Sequence, residues 1–416
     1  MVHLICSSLP LVLLAASASA ASASSASTSA ACTRDEDCSL NGVCDAASGA
    51  CACDAEWVGD ACHTLNLLPP RTLAAAYPPP ALAHNTTSWG GSVLNVSGTY
   101  HMYAAVMSNA CGMTTWTTNS FIQHAVSNTP EGPYEPREVV MPPFAHNPTA
   151  LRAPDGTYLI YHIGCGTPVG GAPPCTDCAG GKSGKSCHGP GEMVACDDRT
   201  TNILHAASPD GPWGQLNAPF VKSATMGTPY QIDNPTVSFF PNGSLLMLGR
   251  GGNLRKESQS DGVITAPGWR GPYTMHTAMN AGSGGAGPDI EDPFVWSDRR
   301  GHFHALFHKF TDEHPNSGGH GFSRDGFAWT LSDRPAYTTD VTTADGAVHA
   351  FNRRERPHLM LDAATGTRPV MLFSTLTQWS DSGANDGHDN AFTHAQWING
   401  SGGGSSSSSS SSSSSQ

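Results

Sequence analysis

The chain has 416 residues, with 21 Lys and Arg against 34 Asp and Glu, a formal charge of −13. That balance argues against a protein that grips nucleic acid through its phosphates and against an electrostatic anchor on an anionic membrane. Charged residues make up only 13% of the chain, about half the usual share of roughly 25%, which separates it from highly charged disordered chains. The 45 glycines and 31 prolines punctuate it every five or six residues. That leaves no room for the long helices of a bundle or a doubly wound α/β fold. The expectation is an all-β protein of many short strands joined by turns.

Residues 1–21 are expected to form a secretory signal. Leu9 to Ala16 is a short apolar core, and small-residue cleavage patterns such as Ala18-Ser19-Ala20 follow it, although only His3 stands where a basic region is usual. One of the 13 cysteines, Cys6, falls in this segment and leaves an even twelve, as an oxidising compartment favours. Four N-x-S/T sequons, at Asn85, Asn95, Asn242 and Asn399, agree with a secreted glycoprotein. Residues 399–416 are a Gly/Ser tract that cannot bury a core. No apolar segment follows it, so the expectation is a secreted chain without a membrane span.

The first folded unit is stapled by cysteine. Cys32, Cys38, Cys44, Cys51, Cys53 and Cys62 fall within 31 residues, too short a stretch to stabilise itself by apolar burial alone. Spacing alone leaves 15 pairings open. The pattern C-x5-C-x5-C-x6-C-x-C-x8-C, with Gly42 and Gly59 each placed shortly before a cysteine, resembles an EGF-like module. The resemblance implies the pairs Cys32–Cys44, Cys38–Cys51 and Cys53–Cys62. Ser29-Ala30-Ala31 stands where the calcium-binding variety carries acidic residues, so calcium is not expected. Such a module is most often a spacer or an adhesion unit, and it leaves room for a protein partner. Residues 63–83 contain Pro69, Pro70 and Pro78 to Pro80 and read as a stiff, extended linker.

Residues 84–398 carry five repeats. Trp89–Tyr103, Asn147–Tyr161, Asn234–Leu248, Asp292–Leu306 and the segment from Arg356 start 58, 87, 58 and 64 residues apart. In the first four a glycine (Gly98, Gly156, Gly243, Gly301) sits nine residues in. Each repeat reads as a strand opened near a proline, a tight Gly-containing turn and an alternating return strand. A second signature, Gly-Pro-aromatic, follows at Gly132-Pro133-Tyr134, Gly211-Pro212-Trp213 and Gly271-Pro272-Tyr273. Two hairpins per repeat give a four-stranded sheet, and five such sheets around an axis give a five-bladed β-propeller. The longest insertion, Gly164 to Thr200, holds Cys165, Cys175, Cys178, Cys187 and Cys196. Their pairing, with Cys111, stays open. Cys175, Cys178, Cys187 and His188 have zinc-ligand spacing, but a disulfide-stapled loop is the expectation in a secreted chain, and no metal is expected.

The repeat openings would gather at one axial mouth, where polar groups converging on a ligand suit a sugar. The openings hold Trp89, His146, Asn147, Asp233, Asn234, Glu291, Asp292, Glu355 and Arg356. Trp89 and Trp116 are candidate aromatic platforms. His84, His146, His308 and His358 are candidates to line the axis, where a structural ion has room. Residues 280–292, rich in glycine, are expected to line the mouth.

These openings, with the Gly-Pro-aromatic strand ends, resemble the five-bladed propellers of glycoside hydrolase family 43 and the related arabinanase, xylosidase and invertase-type enzymes, from about Ala83 to Trp397. The resemblance implies three carboxyl groups at the mouth. Glu291, two residues before Pro293, matches the family's Glu-x-Pro general acid, a role that a nearby like charge would support by raising its pKa. Asp233 stands near the place of the orienting carboxylate, beside Asn234 where the family has the acid. Trp89 stands where the first-blade base would be, and no acidic residue lies between Cys62 and Glu131. Asp292 and Glu355 are the remaining candidate bases for an inverting reaction. Asp292 also suits a structural tie between blades. Glu355, with Arg353, Arg354 and Arg356, suits an ion pair or a clamp for a substrate carboxylate or sulfate. Two functions follow: a secreted glycoside hydrolase acting on poly- or oligosaccharide without a cofactor, or a non-catalytic carbohydrate-binding or adhesion protein on a degenerate glycosidase propeller.

Overall fold

The computed structural model describes residues 31–83, 86–166, 201–216, 232–251, 261–279, 289–310, 317–377 and 391–400. The expected signal segment, the Ser tail, His84, Asn85, Cys175, Cys178, Cys187, His188, Cys196 and residues 280–288 lie outside them. The architecture is nearly all β, and among the described residues the one α-helical segment is the single turn Trp116–Asn119.

Five antiparallel sheets form the blades of a propeller. The first blade runs Ser88–Val96, Thr99–Met107, Ser120–Ser127 and Glu135–Met141. The second runs His146–Arg152, Tyr158–Ile163, Thr201–Ala206 and Gly214–Leu216. Ile232–Phe239, Leu245–Gly251, Asp261–Ala266 and Thr274–Ala278 make the third. Asp289–Ser297, Phe303–Phe310, Ser317–Ser323 and Thr330–Leu331 make the fourth. The fifth has three strands of its own, Arg353–Leu361, Pro369–Thr377 and Ala391–Trp397. The repeat glycines Gly98, Gly156, Gly243 and Gly301 all take positive φ in the hairpin turns, a conformation glycine adopts without steric cost.

The ring is closed by chain that precedes the first blade. Ala76 N–H donates to Thr393 O and Thr393 N–H to Tyr77 O, both at 2.8 Å, and Leu68 N–H donates to Trp397 O at 2.8 Å. Residues 63–83 are extended, as their prolines require, but they also supply the outer edge of the fifth blade. Proline lacks an N–H, so it suits an edge that pairs on one side only. Ala76 and Tyr77 are buried in the apolar cluster between the fifth and first blades, with Met102, Phe373 and Ala395. Equivalent clusters fill the other four blade boundaries.

Three disulfides, Cys32–Cys44, Cys38–Cys51 and Cys53–Cys62, staple residues 32–62, the pairs implied by the EGF-like spacing. Cys111 and Cys165 are also disulfide-bonded. The stapled module is not a projecting bead. Its Cys38, Trp57 and Cys62, with Leu65 just after it, share one buried cluster with Trp296 and Leu306 of the fourth blade, Leu359 and Leu372 of the fifth, and Tyr337 between them. Trp57 is 4% exposed, with its ring 4.7 Å from that of His320.

Around this contact the module presents acids and the propeller presents arginines. Asp54 meets Arg299 at 2.6 Å and Arg300 at 2.5 Å, Glu36 meets Arg324 at 2.5 Å, Asp60 meets Arg334 at 2.5 Å, and Glu56 meets Arg368 at 3.8 Å. The Arg324 hydrogen bond lowers the Glu36 carboxyl to about 2. Exposed pairs contribute only about 0.2–1 kcal/mol each, whereas removing a buried Trp side chain costs about 3–5 kcal/mol. The buried Trp57 contact is therefore comparable with the five ion pairs taken together, and the ion pairs orient it.

Trp57→Ala is accordingly expected to lower the unfolding free energy of the whole chain by about 3–5 kcal/mol in urea titration. Val43→Ala, at a module position 50% exposed, should change it by less than about 0.5 kcal/mol. Equal effects would mean that the module does not share the propeller core.

Candidate active site

Each blade's inner strand carries the same irregularity near its start. The pairing register shifts after Trp89, Asp233, Glu291 and Glu355, and in the second blade at Tyr161/Ile163, opposite the residues following His146. The residue entering the shift is left-handed in all five blades, with φ of 68° at Gly90, 52° at Asn147, 54° at Asn234, 56° at Asp292 and 51° at Arg356. Glycine, Asn and Asp tolerate this region better than other residues, which accounts for four of the five. The fifth, Arg356, is held there by its partners.

These five residues form the axial ring. The Arg356 guanidinium, fully buried, donates from Nη1 to Asp292 Oδ1 at 3.2 Å and from Nη2 to Asn147 O at 2.9 Å. Asn147 Nδ2 donates to Asn234 Oδ1 and, at 3.5 Å, to Asp292 Oδ1. Gly90 completes the ring by having no side chain, since a Cβ there would stand 2.5 Å from Arg356 Cγ. The guanidinium thus places a fixed positive charge on the axis, where the sequence left room for an ion. Burial pushes the Asp292 carboxyl up, and Arg356 pulls it back down.

The preceding residue of each strand forms a second ring, made of Trp89, His146, Asp233, Glu291 and Glu355. Trp89 is 6% exposed and packs with Ala105, Ala391 and Met113, so it offers little surface as a platform. Trp116 is half-buried and stacks on His146, with centroids 5.0 Å apart. His146 Nδ1 lies 2.6 Å from Ser120 Oγ, whose one proton goes to Ala145 O at 2.8 Å, so Nδ1 is the donor. Burial and the charge of Arg356 hold His146 well below its ordinary value, and the ring is neutral. Asp233, 5% exposed, stands opposite Arg250 in the register of the third blade.

Arg250 Nη1 reaches across to the Glu291 Oε1 of the fourth blade. Glu291 keeps 26% of its side-chain surface, against 4% for Asp292 and 3% for Glu355. Its carboxyl is raised by burial first and by the charge of Asp292 next, while Arg250, Arg353 and a hydrogen bond from Asn234 oppose the rise. Glu355 Oε1 sits 3.2 Å from both Arg353 Nε and His308 Nε2. His308 lies opposite Glu291 in register. His358 Nε2 lies 3.2 Å from Thr149 Oγ1, and burial keeps this ring well below its ordinary value.

The structure thus splits the Arg353–Arg356 cluster three ways. Arg353 pairs with Glu355 and Arg356 with Asp292, while Arg354 turns to Ser374, Thr338 and Gln396. Alternation along a strand sends neighbouring side chains to opposite faces, so a run of consecutive arginines cannot act as one clamp. Two residues of the mouth escaped the sequence reading, Arg250 and Ser120. Arg250 follows the apolar run Leu245–Leu248 at the mouth end of a return strand, and a lone cation there was the available signal.

No protein-family model and no curated protein matches the sequence. Among solved structures, a family 117 glycoside hydrolase from the marine bacterium Zobellia galactanivorans matches with a TM-score of 0.52 and 13% identity, over 80% of this chain and 91% of that one. An α-L-arabinofuranosidase from Podospora anserina, solved with cellotriose, matches with a TM-score of 0.51 and 9% identity, over 79% and 98%. The likeness establishes the fold, a five-bladed propeller of the kind on which glycoside hydrolases are built.

Gly90→Ala tests the packing of the axis. It is expected to destabilise the chain by about 1–3 kcal/mol more than Gly98→Ala in urea titration, because overpacking adds to backbone strain. Gly98 also has positive φ, but open space around its would-be Cβ. Equal losses at both sites would mean that Arg356 does not need the room.

Proposed function

We propose that the protein is a secreted glycoside hydrolase acting on poly- or oligosaccharide, with Glu291 as general acid. The observation that carries this reading is that Glu291, alone among the four carboxylates described at the mouth, combines an accessible side chain with a raised pKa, and a general acid needs both. Asp233, facing Arg250, serves as the orienting carboxylate. Asp292 is committed to Arg356, so Glu355, poised between His308 and Arg353, is the group left to activate water. Trp116, half-buried, forms the aromatic wall for the sugar with buried His146 stacked against it, and Asn147, Asn234 and Arg356 hold the floor. No cofactor enters this reaction. Secretion rests on the apolar N-terminal segment, the three disulfides, and the exposed positions of Asn95, Asn242 and Asn399, which suit glycosylation. Among the described residues, no helix is long and apolar enough to cross a membrane.

A second reading, a non-catalytic carbohydrate-binding protein, is favoured by one observation. The first blade offers buried Trp89 where a hydrolase of this kind would carry its base.

The test is hydrolysis of a panel of aryl glycosides and polysaccharides, with binding scored on the same panel. Glu291→Gln is expected to lower kcat about 10²–10⁴-fold, and Glu355→Gln to lower it comparably. The acid must be protonated, so activity should fall as pH rises through the raised Glu291 value, and that basic limb should vanish in Glu291→Gln. Binding without turnover, unchanged in Glu291→Gln, would support the second reading.

A further inference from the structure

Among the described residues, Arg354 is one of two fully buried arginines, and the two differ in their partners. Arg356 has Asp292, whereas Arg354, 1% exposed, has no carboxylate within 4 Å among the described residues. Its three acceptors are neutral: Ser374 Oγ at 3.1 Å, Gln396 Oε1 at 2.8 Å and Thr338 O at 3.5 Å. A guanidinium has five N–H donors, so two are unspent. Neighbouring His394 supplies no countercharge: burial holds it down to about 4, so it is neutral, and a protonated ring would only add a like charge. Burial also lowers Arg354 itself, to about 10, which leaves it charged at neutral pH. An uncompensated buried charge costs several kcal/mol.

A second group points the same way. The ring of Tyr337 lies 4.9 Å from the Arg354 guanidinium, and its hydroxyl, in a residue 3% exposed, has no hydrogen-bond partner. Arg354, Tyr337 and Gln396 all line one cavity of about 240 Å³, which Thr64, Leu65 and Pro69 of the ring-closing segment also line. At about 30 Å³ per water, it has room for more than a lone ion. Asp340, exposed, stands on its lining and disfavours a ligand that is anionic all round.

We infer that this cavity is a binding site for an oxyanion, a carboxylate or sulfate carried on a small polar molecule, held by the free N–H groups of Arg354 and the hydroxyl of Tyr337. The oxyanion supplies the missing countercharge, and the rest of the ligand faces the wall formed by the ring-closing segment. The site goes beyond the hydrolase reading and does not depend on it, since neither Arg354 nor Tyr337 belongs to the mouth rings.

Isothermal titration at constant ionic strength, with inorganic sulfate, glucuronate and uncharged glucose as probes, tests it. Saturable binding of sulfate or glucuronate is expected, and none of glucose. Sulfate alone would make the site one for sulfate groups, and glucuronate alone one for carboxylates. Tyr337→Phe should weaken binding about tenfold or more, the loss of one hydrogen bond to a charged group. Arg354→Met should abolish binding while matching or exceeding the wild-type melting temperature, because an apolar side chain removes an unpaired buried charge. If Arg354→Met does not fold, the Tyr337→Phe affinity decides. The inference is overturned if neither anion binds saturably, or if Tyr337→Phe binds as tightly as wild type.

Discussion

The buried Arg356–Asp292 contact on the axis is the interaction on which the rest of the mouth depends. Five strands converge there, each with a left-handed residue, and four of them bring a polar side chain into the buried axis. One guanidinium meets that demand, taking a carboxylate from the fourth blade and a main-chain carbonyl from the second. Glycine on the first blade makes room for it, and two asparagines link the ring between them. Each axial residue is left-handed and sits at a break in pairing, and the residue before it occupies the equivalent position in every blade. The mouth ring of Trp89, His146, Asp233, Glu291 and Glu355 is therefore a consequence of the axial ring.

The charge pattern of the mouth follows the same logic. Four carboxylates crowd together, and three arginines, Arg250, Arg353 and Arg356, are distributed among them. Burial raises both Glu291 and Asp292, and the arginines oppose that rise. Asp292 is held by a cation inside the ring, and Glu355 by a cation and a histidine at its edge. Glu291 is raised by burial first and by the neighbouring Asp292 charge next, so its proton is bound more tightly than usual. Environment differentiates carboxylates that sequence alone would rank as equals.

Much of this was legible in the sequence, and the limits have physical causes. The blades were readable because each repeat needs a turn glycine with positive φ and a break in pairing at its opening, and both leave marks at fixed spacing. Glu291, Asp233, Asp292 and Glu355 were readable for the same reason, since they sit beside those breaks. Arg250 was not, because it comes from a return strand and meets Glu291 only across a blade boundary. The docking of the cysteine-stapled module and the closure of the ring by residues 63–83 were equally hidden. Leu65 pairs with Ala336 and Ala76 with Thr393, contacts hundreds of residues apart that no local pattern encodes. Proline and cysteine spacing reported that those segments are extended and stapled, but not what they touch.

Arg356 and Asp292 act as one unit that holds the axis. A double-mutant cycle on unfolding free energy, using Arg356→Met, Asp292→Asn and the two combined, tests it most directly. Each single change strands a buried polar partner, so the combined variant should be little worse than either alone. The predicted coupling is at the upper end of the range for residues in contact, about 2–3 kcal/mol. Losses that simply add would contradict the claim, and would mean that the five strands hold the axis without this pair.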